Sequence, residues 1–452
     1  MSLTKQDRKI TLFALTWPIF IEVLLHMLMG NADTLMLSQY SDQSVAAVGV
    51  SNQILFLLIV MFGFIATGTT ILVAQYLGAK QYKNAKDISS VSISANLLIG
   101  LLISVIIYIA SEDILHLMNI PEELLGEATF YLQVVGGFSF VQALIMTAGA
   151  ILKSYGYTKD TMYLTIGMNI LNIIGNYFFI FGPFGFPILG VQGVAISTVV
   201  SRIIGLVVIL YMLKQRVHFT LNIKEIFSLP VHHLKNLLRI GVPTAGEQFS
   251  YNTSQMIITV FITMIGTEAL TTKIYTQNLM MLILLFSLAV SQGTQILIGY
   301  LIGAKDYEGA YKRCLQSLYA GVAISTIMAI IFSIFSDTLL GIFTSNEDIL
   351  KTGGILILLT IILEPGRAFN MIIISSLRAV GDIRFPTYMA IISMWGLAVP
   401  IAYILGIHFE LGLVGVWIAF ITDEWFRGIV MLHRWKSRAW ESKQFITRAA
   451  AN

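Results

Sequence analysis

The same landmarks occur in both halves of this 452-residue chain, about 225 positions apart. Trp17-Pro18 corresponds to Val242-Pro243, and Glu22 to Glu247. Leu77-Gly78-Ala79-Lys80 corresponds to Ile302-Gly303-Ala304-Lys305, with Tyr82 matching Tyr307. Leu152-Lys153 ahead of Gly156 corresponds to Leu377-Arg378 ahead of Gly381. Towards the end of each half the offset becomes 222, pairing Gly193 with Gly415. A chain built twice from one unit must fold into two similar bodies, so any fold that treats it as a single irregular domain is excluded.

Each half is apolar enough to live in lipid. Hydrophobic residues make up 56% of the chain and charged residues 12%, about half the charge of a water-soluble protein. The stretches Ile54 to Ala66, Leu97 to Ala110, Met280 to Val290 and Gly321 to Ile334 carry no charge. Each lies in a segment long enough to cross roughly 30 Å of hydrocarbon as helix. Strands of an outer-membrane barrel alternate instead of forming such blocks. The expected fold class is therefore all-α and polytopic, with twelve transmembrane helices in two pseudo-symmetric six-helix bundles. The first six spans fall near 11–36, 45–73, 89–110, 125–150, 161–181 and 189–213. The second six fall near 236–260, 270–301, 314–335, 350–375, 386–406 and 411–433. This divides the chain into a lobe over 1–213, a linker over 214–235, a second lobe over 236–433 and a basic tail over 434–452.

Charge placement supports that count. With both termini inside, 23 of the 28 lysines and arginines fall in cytoplasmic segments and only Lys351 in an outer loop. Arg202, Lys273, Arg367 and Arg427 lie within spans. Asp42, Glu112, Asp113, Glu122, Glu123, Glu127, Asp337, Glu347, Asp348 and Glu410 fall in outer loops. Lysine and arginine bias sets orientation, so a multi-pass inner-membrane protein with cytoplasmic termini is expected. The N-terminus has Lys5, Arg8 and Lys9 but no cleavable-signal pattern. The basic linker, Lys214 to Arg239, and the tail read as solvated segments or anionic-lipid contacts, with Trp435 and Trp440 at headgroup level. A net charge of +3 spread over many loops excludes a nucleic-acid surface. The lone Cys314 excludes an internal disulfide or a cysteine metal cluster. Neither a P-loop nor a dinucleotide fingerprint is present. No cofactor and no enzymatic activity are expected; a carrier of this kind must draw on an ion gradient.

Ionisable groups within a span are costly unless they face protein or water, so the few present are the candidates for function. Asp33, in Met29-Gly30-Asn31-Ala32-Asp33-Thr34, is the leading ion-coupling acid. Glu22 and Glu247 each lie four residues after a proline, about 16 Å into their spans at 1.5 Å per residue. They either bind an ion or substrate or pair within the bundles. Glu247 is the better coupling candidate, because Gln248, Tyr251, Asn252, Ser254 and Gln255 follow it. Glu364 and Arg367 flank Pro365-Gly366 and share a helix face. They form either a switchable gate or a structural pair, with Glu247 as the alternative partner of Arg367. Asp423 and Arg427, four apart, satisfy each other. Lys273 snorkels toward headgroups or faces the interior, and Arg202 has no partner close in sequence. Asn169, Asn172 and Asn176 form an amide stripe, so Asn172 and Asn176 are candidate ligands; with Asp33 they form the one candidate sodium site.

Taken in order, these motifs resemble the multidrug and toxic compound extrusion (MATE) family over essentially the whole chain. The carriers of the resemblance are Trp17-Pro18 through Gly30-Asn31-Ala32-Asp33-Thr34, the two loops at Leu77–Lys80 and Ile302–Lys305, and Leu377-Arg378-Ala379-Val380-Gly381-Asp382. The resemblance implies two lobes that rock between outward- and inward-facing forms, expelling bulky, mostly cationic organic compounds in exchange for protons or sodium. It implies Asp33 as the first-helix coupling acid. Neither branch's ion site is complete. The NorM-like branch has glutamate where this chain has Tyr251 and aspartate where it has Arg367. The DinF-like branch has a second aspartate where this chain has Asn176, while Asn172 keeps the preceding amide. The expectation is a monomeric antiporter for cationic amphiphiles, coupled to protons with sodium as the alternative ion. Asp33, Glu247 and Glu364 are its coupling acids, with Glu22, Asn172, Asn176, Tyr251 and Arg367 lining the site. A lipid-linked precursor flippase of similar two-lobed architecture is the alternative function, and an uncoupled channel or receptor a third.

Overall fold

A computed structural model of the chain describes residues 11–219 and 230–446. Lys5, Arg8, Lys9, Lys224 and Arg448 lie outside the described residues. The described residues are helical nearly throughout, as backbone in hydrocarbon must be when no water can satisfy its polar groups. In chain order the first seven helices are α1 Leu12–Ser38, α2 Asp42–Gly78, α3 Tyr82–Leu117, α4 Glu122–Tyr131, α5 Ser139–Ser154, α6 Thr158–Phe181 and α7 Val191–Val217. They are followed by α8 Val231–Ile265, α9 Thr267–Gly303, α10 Tyr307–Ile334, α11 Ser336–Gly341, α12 Glu347–Ala379, α13 Arg384–Ser393, α14 Val399–Tyr403 and α15 Gly412–Lys436.

Among the described residues, nine helical segments are individually long and apolar enough to cross a membrane. The pair Glu122–Gly136 and Ser139–Ser154, bent by 42°, forms a tenth as a broken span. Helices α8 and α15 have the length but are more polar: α8 carries Glu247 to Gln255, and α15 carries Asp423, Glu424 and Arg427. Including these two helices gives the twelve long segments that the sequence pattern predicts. The expected span near 386–406 is interrupted by π turns at Met394–Ala398 and Ile404–His408, the second following Pro400, which has no amide hydrogen to donate.

The described chain divides into two compact units. The N-terminal unit comprises Ile21–Leu77 and Gln81–Gly241; the C-terminal unit comprises the residues up to Phe20, Gly78–Lys80 and everything from Val242. Helix α1 thus changes unit at Phe20, two residues after Pro18, and α8 changes unit at Gly241, two residues before Pro243. In the N-terminal unit, α7 packs on both α5 and α6, and α3 on α5. In the C-terminal unit, α12 packs against α9, α10 and α15 and is the central helix.

The repeat is visible down to single hydrogen bonds. Gln81 N donates to Tyr76 O at 2.9 Å, and Asp306 N to Leu301 O at 2.8 Å, 225 positions later. Lys80 and Lys305 close these turns in the left-handed region, at φ 58° and 61°. After α5 and α12, Tyr157 N donates to Leu152 O and Asp382 N to Leu377 O, both at 2.9 Å. Gly156 and Gly381 supply the positive φ those turns need, at 83° and 95°. Trp435 and Trp440 are not at headgroup level. They stack at 4.5 Å in the core of the C-terminal unit, and the Trp440 indole donates to the Trp435 carbonyl.

Both units expose apolar side chains and bury neutral polar ones within otherwise apolar cores, the arrangement lipid permits. Leu102, Val105, Ile106 and Ile109 are exposed on α3, while Ser89, Ser92, Asn96 and Ser104 on the same helix are buried. Asn96 acts as a clamp: its amide donates to Ala143 O at 3.1 Å and to Thr147 Oγ1 at 2.6 Å, joining α3 to α5. Such an interhelical bond contributes on the order of 1 kcal/mol. Asn96→Leu should therefore lower the thermal unfolding midpoint of the detergent-solubilised protein; an unchanged midpoint would remove Asn96 from the packing account.

Candidate functional site

The N-terminal unit places its intramembrane acid at the end of an amide chain. Asp33, near the C-terminal end of α1, is buried, and its Oδ1 accepts from Asn176 Nδ2 at 2.6 Å. The same Asn176 amide donates to Asn172 Oδ1 at 3.2 Å, and Asn172 Nδ2 donates to Thr198 Oγ1 at 3.1 Å. The four-residue spacing on α6 puts both asparagines on one face, toward α1 and α7. Asp33, Asn172 and Asn176 are therefore brought together. Thr198, which ends the chain, was not singled out by sequence, since a hydroxyl in a helix has many uses. Asn169 is used differently, donating to the Leu25 carbonyl at 3.0 Å.

Among the described residues no cation comes within 4.0 Å of Asp33. Arg202, one turn after Thr198 on α7, is within electrostatic reach of Asp33 and Tyr131 but forms no ion pair. The polar contact that Asp33 does make is with the Asn176 amide, whose Nδ2 donates to it while Oδ1 is buried without a hydrogen-bond partner. Among the described residues no group of three or more His, Cys, Asp or Glu is disposed to hold a metal ion.

Glu22 and Glu247 have cationic partners, and the two partners are also related by the repeat. Glu22 accepts from Lys153 Nζ at 2.9 Å and Thr161 Oγ1 at 2.8 Å. Glu247 accepts from Arg378 Nη2 at 2.5 Å and Thr387 Oγ1 at 3.2 Å. Each pair ties the proline-bearing first helix of its half to the end of the fourth span. Lys153 and Arg378 mark the repeat in the sequence, but only the fold brings them to the glutamates. Glu22→Gln leaves Lys153 without its counter-charge at a site less than one-fifth exposed, which costs roughly 1–3 kcal/mol. The unfolding midpoint should fall for Glu22→Gln and recover substantially in the charge-swapped Glu22→Lys/Lys153→Glu protein. Failure of the swap to recover any stability would mean the glutamate is needed for something other than this pair.

The C-terminal unit gathers five charges around the middle of α12. Arg367 Nη1 donates to Glu364 Oε1 at 2.6 Å, and its Nε lies 3.7 Å from Glu424 Oε1. Arg367 therefore pairs with Glu364 and Glu424, not with Glu247. Arg427 donates to Asp423 Oδ2 at 2.6 Å and reaches Glu424 Oε1 at 3.0 Å. Asn370 donates to Glu424 Oε2 at 2.8 Å, and Ser393 to Asp423 Oδ1 at 2.5 Å. A cavity of about 20 Å³ adjoins the cluster, lined by Tyr251, Gln255, Gln277, Arg367, Asp423 and Glu424 among others. That is room for one water. Glu424 is the functional candidate sequence analysis missed. Its signal was present: a second acid beside Asp423, three residues from Arg427, in a span that already held one pair. Lys273 does not snorkel; it is buried and donates to Thr259 Oγ1 at 2.6 Å.

Comparison with known proteins follows the repeat. The MatE family profile matches residues 18–178 and 243–404, once in each half. The uncharacterized transporter YisQ of Bacillus subtilis is 59% identical over 437 residues, covering 97% of this chain and 96% of that protein. The probable multidrug resistance protein NorM of Thermotoga maritima is 28% identical, covering 97% and 94%. Among solved structures, a MATE protein in its bent conformation superposes with a TM-score of 0.86 at 22% identity over 94% of both chains. A MOP superfamily transporter from Pyrococcus furiosus, described as having a binding pocket of reverse polarity, gives 0.85 at 22% identity over 94% and 95%. These two share the fold.

Proposed function

The chain belongs to the MATE family of multidrug efflux transporters, as a multi-pass membrane transporter and not an enzyme, and from that premise we propose that it exports bulky, mostly cationic organic compounds in exchange for protons taken up at Asp33. One observation carries this. Of the intramembrane acids described, Asp33 alone has no cation within 4.0 Å, whereas Glu22, Glu247, Glu364, Asp423 and Glu424 each have one. An acid already neutralised by a tethered arginine or lysine responds weakly to a mobile cation; an acid held only by an amide is free to exchange one.

In this mechanism a proton from outside reaches Asp33 and replaces its hold on a cationic substrate, which leaves. The protein then opens inward, where the proton departs and the carboxylate is ready for the next cation. Protons are favoured over sodium because Asn176 stands where a second acid would raise the local negative charge, and because its amide donates to Asp33. The lysine and arginine bias supports an inner-membrane location with both termini cytoplasmic.

Purified protein in liposomes should expel a cationic dye when a proton gradient is imposed and not when a sodium gradient is imposed. Asp33→Asn should abolish that efflux while leaving expression and the unfolding midpoint near wild type. Undiminished efflux by the variant, or efflux driven by sodium alone, would overturn the proposal. Scrambling of a labelled lipid-linked precursor without dye efflux would favour the flippase function instead.

A further inference from the structure

The five-charge cluster of the C-terminal unit does not balance. Glu364, Asp423 and Glu424 are three acids; Arg367 and Arg427 are two guanidiniums. Fully ionised, the group would carry one uncompensated negative charge at the centre of a membrane bundle, where such a charge is expensive.

Among the described residues, no third cation lies at pairing distance from these acids. On α8 the nearest titratable group is Tyr251, which lines the cavity, and Glu247 one turn before it is already paired with Arg378. On α9 the ammonium of Lys273 is held by Thr259, and no acid lies within 4.0 Å of it among the described residues. Helix α10 has no charged side chain beyond Arg313, near its start, and α13 has none beyond Arg384. The short α11 carries only Asp337, in its first turn.

The hydrogen bonds identify which acid is out of balance. Three carboxylates have six oxygens. Both oxygens of Asp423 accept bonds, from Ser393 and Arg427. Both oxygens of Glu424 are engaged, by Asn370 on one side and by Arg427 and Arg367 on the other. Glu364 Oε1 accepts from Arg367, while Glu364 Oε2 is fully buried and has no partner. The carboxamide oxygen of Asn370, Oδ1, is likewise buried and unpartnered, so the cluster holds an unused acceptor as well.

We propose that Glu364 carries a proton on Oε2, making the C-terminal unit a second, exchangeable proton site separate from Asp33. With that proton in place, Asp423 and Glu424 balance Arg367 and Arg427, and the cluster is neutral. A carboxylic acid also has a donor to offer where a carboxylate has only lone pairs. Uptake moves one proton from bulk water to Oε2, and release returns it and leaves the carboxylate paired with Arg367 alone. A cavity with room for one water adjoins Arg367, Asp423 and Glu424, the partners of Glu364 in the cluster. A metal cation does not fit the same place: five of the six carboxylate oxygens are already committed, and Arg367 lines the cavity itself. The assignment does not depend on the identity of the exported compound or on Asp33.

Infrared spectroscopy of the full-length protein in an ester-free detergent at neutral pH tests it without transport. Asp33→Asn serves as the background, so that the Asp33 carboxyl is absent. In that background a protonated-carboxyl C=O band should be present and should shift in heavy water. Adding Glu364→Gln should remove it. Adding Glu424→Gln instead should remove it too, because two guanidiniums against Asp423 alone draw Glu364 into the ionised form. This second variant carries the test if Glu364→Gln does not fold. The proposal is overturned if the background protein shows no such band, if the band survives Glu424→Gln, or if sodium chloride abolishes it at fixed pH, which would assign the site to a metal ion.

Discussion

A charge in hydrocarbon must find an opposite charge, a hydrogen-bond donor or water, and the interior of this protein is organised by that requirement. The backbone meets it with helix over nearly all the described residues. The neutral polar side chains meet it by turning inward: Ser89, Ser92 and Asn96 are buried on α3 while Leu102, Val105, Ile106 and Ile109 of the same helix are exposed. The charged side chains meet it by pairing, and the pairs differ in completeness. Glu22 with Lys153 and Glu247 with Arg378 are closed, each acid taking a second bond from a threonine. Asp33 and the α12 cluster are not closed in this sense, one having no cation and the other one acid too many.

Gene duplication accounts for the closed pairs and not for the open ones. The turn hydrogen bonds at Tyr76 and Leu301, the left-handed lysines at 80 and 305, and the two glutamate pairs all recur at the same offset. These are parts that hold a six-helix bundle together, and both bundles need them. The open sites have diverged. By the offset of 222 that relates Gly193 to Gly415, Arg202 is the counterpart of Glu424, so one unit has a cation where the other has an anion. By the offset of 225, Asp33 corresponds to Ile258, and Arg367 to Gln142. Two bodies with a shared frame thus carry different electrostatics at their centres.

This difference also marks how far the sequence could be read. Hydrophobic blocks, lysine and arginine bias and the repeat specify the helical membrane fold, because each depends on local pattern alone. The grouping of Asp33 with Asn172 and Asn176 was legible because the two asparagines, four apart, share a face in an apolar span and Asp33 is an acid in another such span. The partners of Glu22 and Glu247 were not, since 131 positions separate each acid from its cation and only tertiary packing closes the gap. Lys273 was misjudged for a related reason: a lysine near a helix end usually reaches for headgroups, yet here Thr259 on the preceding helix captures it inside the bundle. Trp435 and Trp440 looked interfacial by position, but their mutual stacking and the capture of one indole by backbone bury both.

The sorting of acids into closed and open pairs narrows where an exchangeable charge can reside. Adding a proton to a closed pair strands a buried lysine or arginine, and removing one strands the carboxylate, so such a pair resists titration and serves as framework. An open acid incurs no such cost. Asp33 exchanges its charge against an amide, and Glu364 against an arginine shared with Glu424, so the two would respond to different conditions even at the same pH. Arg202 adds an asymmetry on the N-terminal side. With Asp33 ionised the two charges offset one another at a distance, and in the proposed exchange protonation of Asp33 would remove that offset. A cation seated near Asp33 would then be repelled by Arg202 as well as released by the proton, so the proposed exchange would gain displacement from a single basic residue on α7.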